Sequence, residues 1–170
     1  MQILCLLLAA LLFSFAWLSP FHTYPWVTFS SELASFGACL ALIAIFLNKN
    51  IKIARPQILM LVLTFIPLVQ CGFGLITDFS VAFLSFSYLF MFWLMIVIGY
   101  NLSLQSEQRE RIMLGASYLL FSISFISSIM AILQWLNLES HFDVVMGLRG
   151  SRPYANFGQP NNLATFLIIG

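Results

Sequence analysis

The sequence has 170 residues, of which 61% are hydrophobic and only 8% carry a charged side chain. Soluble domains carry about 25% charged residues. A soluble core of this size could not bury 18 phenylalanines together with the other apolar side chains. The composition therefore excludes a soluble globular protein and predicts an all-α, polytopic membrane helix bundle. The formal net charge of +1 gives no support to a nucleic-acid partner.

Apolar segments of membrane-spanning length recur along the chain. A bilayer core of about 30 Å needs roughly 20 apolar residues in a helix. Five segments meet that length within tolerance and a sixth begins near Asn161, which places helices at about 3–18, 29–47, 58–76, 81–102, 112–136 and 161–170. Ten helical residues rise only about 15 Å. The pattern thus predicts five complete transmembrane helices plus the start of a sixth, in the N-terminal part of a longer protein.

Polar and conformationally restricted residues separate the predicted helices. Ser19 and Pro20 end the first helix, and Glu32 suits the positive end of the second. Pro67 is expected to kink the third helix, which a membrane bundle tolerates. The polar stretch 103–111 is expected to link the fourth helix to the fifth. Each break therefore falls where a helix would otherwise be hard to continue.

The loop cations predict the orientation of the protein. They divide five to two, with Lys49, Lys52, Arg55, Arg109 and Arg111 on one side of the membrane and Arg149 and Arg152 on the other. Basic residues of short loops concentrate on the cytoplasmic side. The N-terminus is therefore predicted to be cytoplasmic and the 137–160 loop to lie outside, in the periplasm of a bacterium.

The segment from Arg152 to Asn162 is polar and conformationally restricted. Pro153 pushes Arg152 towards an extended conformation, and Gly158 permits a turn that other residues resist. Pro160 suits the first position of the sixth helix, with Gln159 at or near its cap. The sequence therefore predicts a helix N-terminus that faces the outer surface, flanked by amide side chains and an arginine.

Such an arrangement suits an anion. The free N–H groups of a helix N-terminus attract negative charge, and an arginine forms bidentate hydrogen bonds with phosphate oxygens. Asn161 and Asn162 would occupy the first turn of the helix, and Arg149 lies in the same loop. At a membrane surface the expected anion is a lipid-linked phosphate or pyrophosphate. The alternative is a plain helix cap beside an arginine that extends to the interface.

The run from Arg152 to Ala164, RPYANFGQPNNLA, resembles the signature of the bacterial O-antigen ligase/polymerase superfamily. Its Gly-Gln-Pro-Asn-Asn-Leu-Ala portion is most similar to the protein O-oligosaccharyltransferases of the PglL type. The resemblance implies an inner-membrane glycosyltransferase of the GT-C type that uses no metal or other cofactor. Such enzymes transfer a glycan from undecaprenyl pyrophosphate, on the periplasmic side, to a hydroxyl acceptor.

The resemblance also implies roles for individual residues. Arg152 and Gln159 would be catalytic, with Arg152 contacting the pyrophosphate leaving group, while Asn161 and Asn162 would shape the same pocket with Arg149. The base that activates the acceptor is implied to be a histidine much further along the chain, so residues 1–170 alone are expected to be inactive. The implied acceptor is a serine or threonine of a pilin or another exported protein, or lipid A-core sugar in the ligase relatives.

Two readings from other classes compete with a transferase. A transporter or flippase subunit would bind its substrate near the bilayer midplane, often at broken helices. The predicted spans hold almost no ionisable residues, which argues against that reading. A scaffold protein without any site is the third reading, and it predicts that replacing Arg152 or Gln159 changes only stability.

Overall fold

In a computed structural model, the residues described are 2–22, 26–47, 49–104, 106–148 and 150–169, with backbone only for 106–108. Over these ranges the chain folds into helices and loops, without a strand. The helices are α1 (Gln2–Leu18), α2 (Phe29–Ala44), α3 (Arg55–Thr64), α4 (Ile66–Gly72), α5 (Phe79–Ser103), α6 (Ser106–Trp135), the short 3-10 helix η1 (Glu139–His141) and α7 (Pro160–Ile169). The all-α fold class is confirmed.

Three helical stretches are long and apolar enough to cross a membrane, and they cover Arg55–Gly72, Phe79–Ser103 and Arg109–Trp135. Helices α1 and α2 are apolar but have only 17 and 16 residues. At 1.5 Å per residue they rise about 25 Å, somewhat less than a bilayer core. Large apolar side chains are exposed along these helices. The chain is therefore part of a multi-pass membrane protein.

The predicted kink in the third helix is confirmed as a break between α3 and α4. Phe65 is the junction residue, and its N–H bonds to the carbonyl of Val62 at 3.2 Å, three residues back. Pro67 follows as the second residue of α4. Since proline has no N–H to donate to the carbonyl four residues earlier, the regular helix cannot pass through it.

The predicted polar link over 103–111 is wrong in its extent. Helix α5 ends at Ser103 and α6 begins at Ser106, so most of the polar stretch forms the first turns of α6. The N–H of Leu104 still bonds to the carbonyl of Tyr100 at 3.2 Å. Serine, glutamate, glutamine and arginine are compatible with a helix N-terminal turn, and an acid there is favourable. Polarity alone therefore did not mark a loop.

The chain divides into two compact units, Met1–Ala38 with Glu110–Gly170 and Cys39–Arg109. In the second unit, α5 packs against both α3 and α4. Ala82 and Val97 are buried on α5, and the indole N–H of Trp93 donates to the carbonyl of Gln57 at 2.8 Å. Burial of apolar side chains thus joins these helices, with few polar contacts between them.

The first unit has a small apolar core at the C-terminal end of α6. Met130, Val145, Ala155 and Leu163 are buried there, with Leu18, Ala131, Leu133 and Phe157 packed against them. These residues belong to α1, α6, the following loop and α7. The long loop after α6 is therefore folded onto the helices, and the candidate site lies in it.

Candidate functional site

Gln134, in the last turn of α6, organises the loop that follows. Its side chain is fully buried. The Nε2 amide donates to the carbonyls of Met146 and Ala155, both at 2.8 Å, and Oε1 accepts from the N–H groups of Tyr154 and Ala155 at 2.9 and 2.8 Å. Two donors and two acceptors are thereby satisfied, as a buried amide requires. The loop backbone is therefore attached to α6 at two places, at Met146 and at Tyr154 and Ala155.

Asn156 provides a second attachment, to the end of α1. It is 3% exposed. Its amide nitrogen donates to the carbonyl of Leu18 at 2.6 Å and to that of Val144 at 2.8 Å, while its oxygen accepts from the N–H of Met146 at 3.0 Å. The last residue of α1 is 138 positions earlier in the chain. Asn156 therefore fixes residues 144–156 against α1 as well as within the loop.

The two residues before Asn156 are also buried. The hydroxyl of Tyr154 donates to the carbonyl of Gly147 at 2.6 Å, and Ala155 adopts a positive φ of 49° with no exposed surface. The Tyr154 ring therefore lies inside the fold and not at its surface. A positive φ at a non-glycine residue is strained. The hydrogen bonds of Gln134 to both Tyr154 and Ala155 hold this conformation.

The turn into α7 follows the predicted pattern. Gly158 has a φ of 70°, and α7 begins at Pro160. The carbonyl of Gln159 accepts the N–H of Leu163 at 3.2 Å, which places Gln159 at the N-cap. Among the described residues, the N–H groups of Asn161 and Asn162 have no acceptor. The first turn of α7 therefore offers free donors, as an anion site at a helix N-terminus would use.

Arg152 lies on the other side of the buried segment. Its side chain is exposed, and none of the carboxylates that the structure describes forms an ion pair with it. It lies two positions before the buried Tyr154, so its backbone stays within about 7 Å of that anchor. A free guanidinium on a fixed backbone is available to an external anion.

The predicted site residues thus fall into two groups. Gln159, Asn161 and Asn162 are exposed around the start of α7, while Arg152 is exposed at the opposite end of the buried Tyr154–Asn156 segment. Arg149 lies outside the described residues. In the parts of the chain that the structure describes, no group of three or more metal-binding side chains occurs.

Two ionisable residues near the loop were given no role from the sequence. His22 lies beside the Gly158 turn, where a Cβ added to that glycine would be 3.9 Å from the imidazole, and its Nδ1 is buried without a hydrogen-bond partner. One carboxylate oxygen of Glu139 accepts from the N–H of Leu148 at 3.3 Å, while the other is buried without a partner. His22, which follows the end of α1, therefore lies beside the turn that precedes α7.

Sequence reasoning missed Gln134 and Asn156, which position the site. Gln134 carried a usable signal, because a lone amide inside an apolar helix must find partners or lose stability. Asn156 resembled the neighbouring loop amides, and nothing local distinguished it. Its partners lie on α1 and in the first half of the loop, so only the folded chain identifies it.

The chain is similar to known O-oligosaccharyltransferases. The chain is 56% identical, over all of its 170 residues, to the general O-oligosaccharyltransferase of Acinetobacter baylyi, of which it covers 30%. It is 28% identical over 144 residues, 84% of its length, to the ComP-specific O-oligosaccharyltransferase of the same organism, of which it covers 26%. No protein-family profile and no solved structure matches the chain.

The chain thus spans less than a third of either relative. The similarity to the first relative nevertheless extends over every element described above, and it includes the segment that resembles the ligase signature. Over its whole length, the chain is similar to part of a general O-oligosaccharyltransferase.

Proposed function

We propose that the full-length protein is an O-oligosaccharyltransferase that transfers a glycan from undecaprenyl pyrophosphate to a hydroxyl group of an exported protein. The observation that carries the proposal is the 56% identity across the entire chain to a general O-oligosaccharyltransferase. The site supports it, since Arg152 is exposed, forms no ion pair with a carboxylate that the structure describes, and lies at one end of a buried segment whose other end leads into α7.

In the proposed reaction the site binds the leaving group. The bond between the sugar anomeric carbon and a pyrophosphate oxygen breaks, and undecaprenyl pyrophosphate departs with the bonding electrons. The acceptor hydroxyl oxygen bonds to the same carbon and gives its proton to a base. Charge grows on the departing oxygens, so Arg152 and the free N–H groups of Asn161 and Asn162 would stabilise the transition state. Gln159 and Arg149 would contribute further polar contacts.

The membrane placement is part of the proposal. With the N-terminus cytoplasmic, the majority of loop cations lie inside and the 137–160 loop faces the periplasm, as the distribution of lysine and arginine favours. The enzyme would then act at the outer face of the bacterial inner membrane. The base is proposed to be a histidine outside residues 1–170. That location explains why this part of the protein would be inactive alone.

The acceptor is proposed to be a serine or threonine of a pilin or another exported protein. Both relatives are named for O-oligosaccharyl transfer, and the name of one specifies ComP. The second candidate is ligation or polymerisation of O-antigen, with lipid A-core as the acceptor in the ligation case. The same leaving-group site would serve either acceptor. The two functions are therefore distinguished by whether a variant loses the glycosylated protein or the glycan of the lipopolysaccharide.

The decisive experiment uses the full-length gene in a strain that lacks it. Arg152→Ala is expected to abolish the glycan mass shift of the acceptor protein. Arg152→Lys is expected to retain about a tenth of the activity or less, since a bidentate hydrogen bond to a charged group contributes about 1.5–3 kcal/mol. Arg111→Ala, which removes an exposed arginine at the start of α6, is the matched control and should leave the mass shift intact.

Other outcomes distinguish the competing functions. Loss of glycan from lipopolysaccharide, with the protein mass shift retained, would favour the ligase. A transporter predicts that the lipid-linked glycan fails to reach the outer face, whereas a transferase predicts that it accumulates there. Normal glycosylation by Arg152→Ala at wild-type protein level would remove this residue from the mechanism.

A further inference from the structure

A short non-helical segment connects α2 to α3 in the second unit. Residues 49–55, here called the basic strap, comprise the end of this segment and the first residue of α3, and they read Lys-Asn-Ile-Lys-Ile-Ala-Arg. The side chains of Lys49, Lys52 and Arg55 are exposed, and so are those of Ile51 and Ile53. Cationic and apolar side chains therefore alternate along a piece of backbone that is non-helical up to Ala54 and enters α3 at Arg55.

A buried asparagine fixes the centre of the basic strap. Asn101, in the last turn of α5, is 5% exposed. Its Oδ1 accepts from the N–H of Lys52 at 2.8 Å, and its Nδ2 donates to the carbonyl of Lys52 at 2.8 Å and to that of Val97 at 2.8 Å. A side-chain amide thus pairs with both polar groups of one residue, as a neighbouring strand would.

A second buried amide fixes the end of the basic strap. Gln57, in the first turn of α3, accepts from the N–H of Ala54 at 2.8 Å and donates to the carbonyl of Ile96 at 3.4 Å. Trp93 adds its hydrogen bond to the carbonyl of Gln57. The backbone conformation of the strap is therefore set before any ligand arrives, which lowers the entropy lost on binding.

The anchors also determine the depth of the basic strap in the membrane. Arg55 begins one candidate span, Arg55–Gly72, and Asn101 lies near the end of another, Phe79–Ser103. A residue held between the ends of two spans lies where helices leave the hydrocarbon. That level contains the lipid phosphates.

No carboxylate that the structure describes neutralises the charge of the basic strap. No acidic residue occurs between Glu32 and Asp78. Asp78 caps the opposite end of α5, and 25 residues of helix span about 37 Å. Among the described residues, Lys49 contacts the Phe46 ring at 5.9 Å, and none of the three cations forms an ion pair. Arg55 moreover lies at the positive end of α3, where a cation is unfavourable.

Exposed isoleucines beside Lys52 indicate what covers the strap. Ile51 is 49% exposed and Ile53 48% exposed. Exposure of either isoleucine side chain to water would be unfavourable, whereas burial of both at the boundary of the acyl chains is favourable. Cations that bind phosphate beside apolar side chains that enter hydrocarbon are the pattern of a surface that binds anionic lipid.

We propose that the basic strap is a binding site for the headgroups of anionic phospholipids in the adjacent leaflet. Lys49, Lys52 and Arg55 would bind the phosphates, and Ile51 and Ile53 would contact the upper acyl chains. The site belongs to the second unit, and it would hold the start of α3 and the end of α5 at a fixed depth in the bilayer.

The test titrates the purified full-length protein in neutral detergent with dioleoyl phosphatidylglycerol or dioleoyl phosphatidylcholine and measures bound lipid by native mass spectrometry. We expect tighter binding of the anionic lipid, reduced about fivefold by Lys52→Gln, since each cation near a membrane surface contributes about 1 kcal/mol. The triple change Lys49→Gln/Lys52→Gln/Arg55→Gln should abolish the preference. Raising the salt from about 0.1 M to about 1 M should weaken it in the wild type.

Two further variants make the outcome decisive. Lys49→Arg/Lys52→Arg keeps the charge and should keep the preference, while Arg109→Gln/Arg111→Gln removes cations outside the strap and should also keep it. If the triple variant is not produced in the cell, the lipid preference of the Lys52→Gln variant alone tests the proposal. Equal binding of both lipids by the wild type, or the same loss in Arg109→Gln/Arg111→Gln, would overturn the proposal.

Discussion

Gln134 in α6 and Ala155 in the following loop exchange two hydrogen bonds. The Nε2 of Gln134 donates to the carbonyl of Ala155 at 2.8 Å, and the N–H of Ala155 donates to Oε1 at 2.8 Å. This pairing holds Ala155 at a positive φ in a position with no exposed surface. Arg152 lies three positions before Ala155 and Gln159 four positions after it. Both therefore lie on backbone that is held by the contact with α6.

Replacing Gln134 should uncouple the loop from α6. Gln134→Ala would leave two N–H groups and two carbonyls buried without partners, and each such group costs about 1–3 kcal/mol. We expect the purified full-length protein to lose about 3–5 kcal/mol of stability and the segment 143–157 to become sensitive to protease. The half-buried Gln70 of α4 is the control, and Gln70→Ala should have little effect. Equal melting temperatures for the two variants would contradict the prediction.

A charge at Asn156 should be more harmful than a truncation. In Asn156→Asp, a carboxylate oxygen replaces the nitrogen that donates to the carbonyls of Leu18 and Val144. A buried charge that faces two acceptors is expected to destabilise the fold by about 3–5 kcal/mol, more than Asn156→Ala. Thermal unfolding of both variants measures the order. The exposed Asn137, in the same loop, provides the control Asn137→Asp, and an unchanged melting temperature for Asn156→Asp would refute the argument.

The glycine before Gln159 is required for its backbone conformation and not for space. A Cβ at Gly158 would meet nothing closer than the His22 ring at 3.9 Å, but φ is 70°. We expect Gly158→Ala to cost about 1–2 kcal/mol, the price of a left-handed conformation. Gly115→Ala, in the middle of α6, should instead be neutral or stabilising by up to about 1 kcal/mol. Chemical denaturation of both variants provides the comparison, and opposite signs are the expected result.

Removing the central anchor of the basic strap should release it. Asn101→Ala deletes the hydrogen bonds to both backbone groups of Lys52 and to the carbonyl of Val97, so we expect a loss of about 2–4 kcal/mol. Amide hydrogen exchange at Lys52 should become faster, while exchange in the middle of α5 should not. Asn50→Ala, at an exposed position of the same strap, is the control. Unchanged exchange at Lys52 in Asn101→Ala would show that the anchor is not needed.

Helix positions followed closely from the sequence. The predicted segments 29–47 and 81–102 correspond to α2 and α5 within three residues at each end, and Pro160 begins α7 as expected. Long apolar runs have few alternatives to a helix in a bilayer, since every backbone group must be satisfied within the segment. Polar stretches were less informative. Residues 106–111 extend α6, because a helix N-terminus tolerates the same polar residues as a loop.

Some features of the candidate site could likewise be predicted from the local sequence, and others could not. The order Gly158, Gln159, Pro160 was sufficient to predict a turn, a cap and a helix start, because those preferences are set by local backbone sterics. The exposure of Arg152 and the burial of Tyr154 were not readable from their neighbours. Both depend on how residues 144–156 fold onto the helices, and the interactions that direct this folding come from distant positions.

The sequence by itself determined that this is a helical membrane protein with a polar, turn-forming segment before α7, since hydropathy and backbone preferences are local properties. The tertiary structure decided which amides are structural and which are free to bind a ligand. Gln134 and Asn156 are saturated by backbone partners, whereas Gln159, Asn161 and Asn162 remain exposed. Burial and hydrogen-bond saturation depend on chain segments brought together across as many as 138 residues, and no local pattern encodes them.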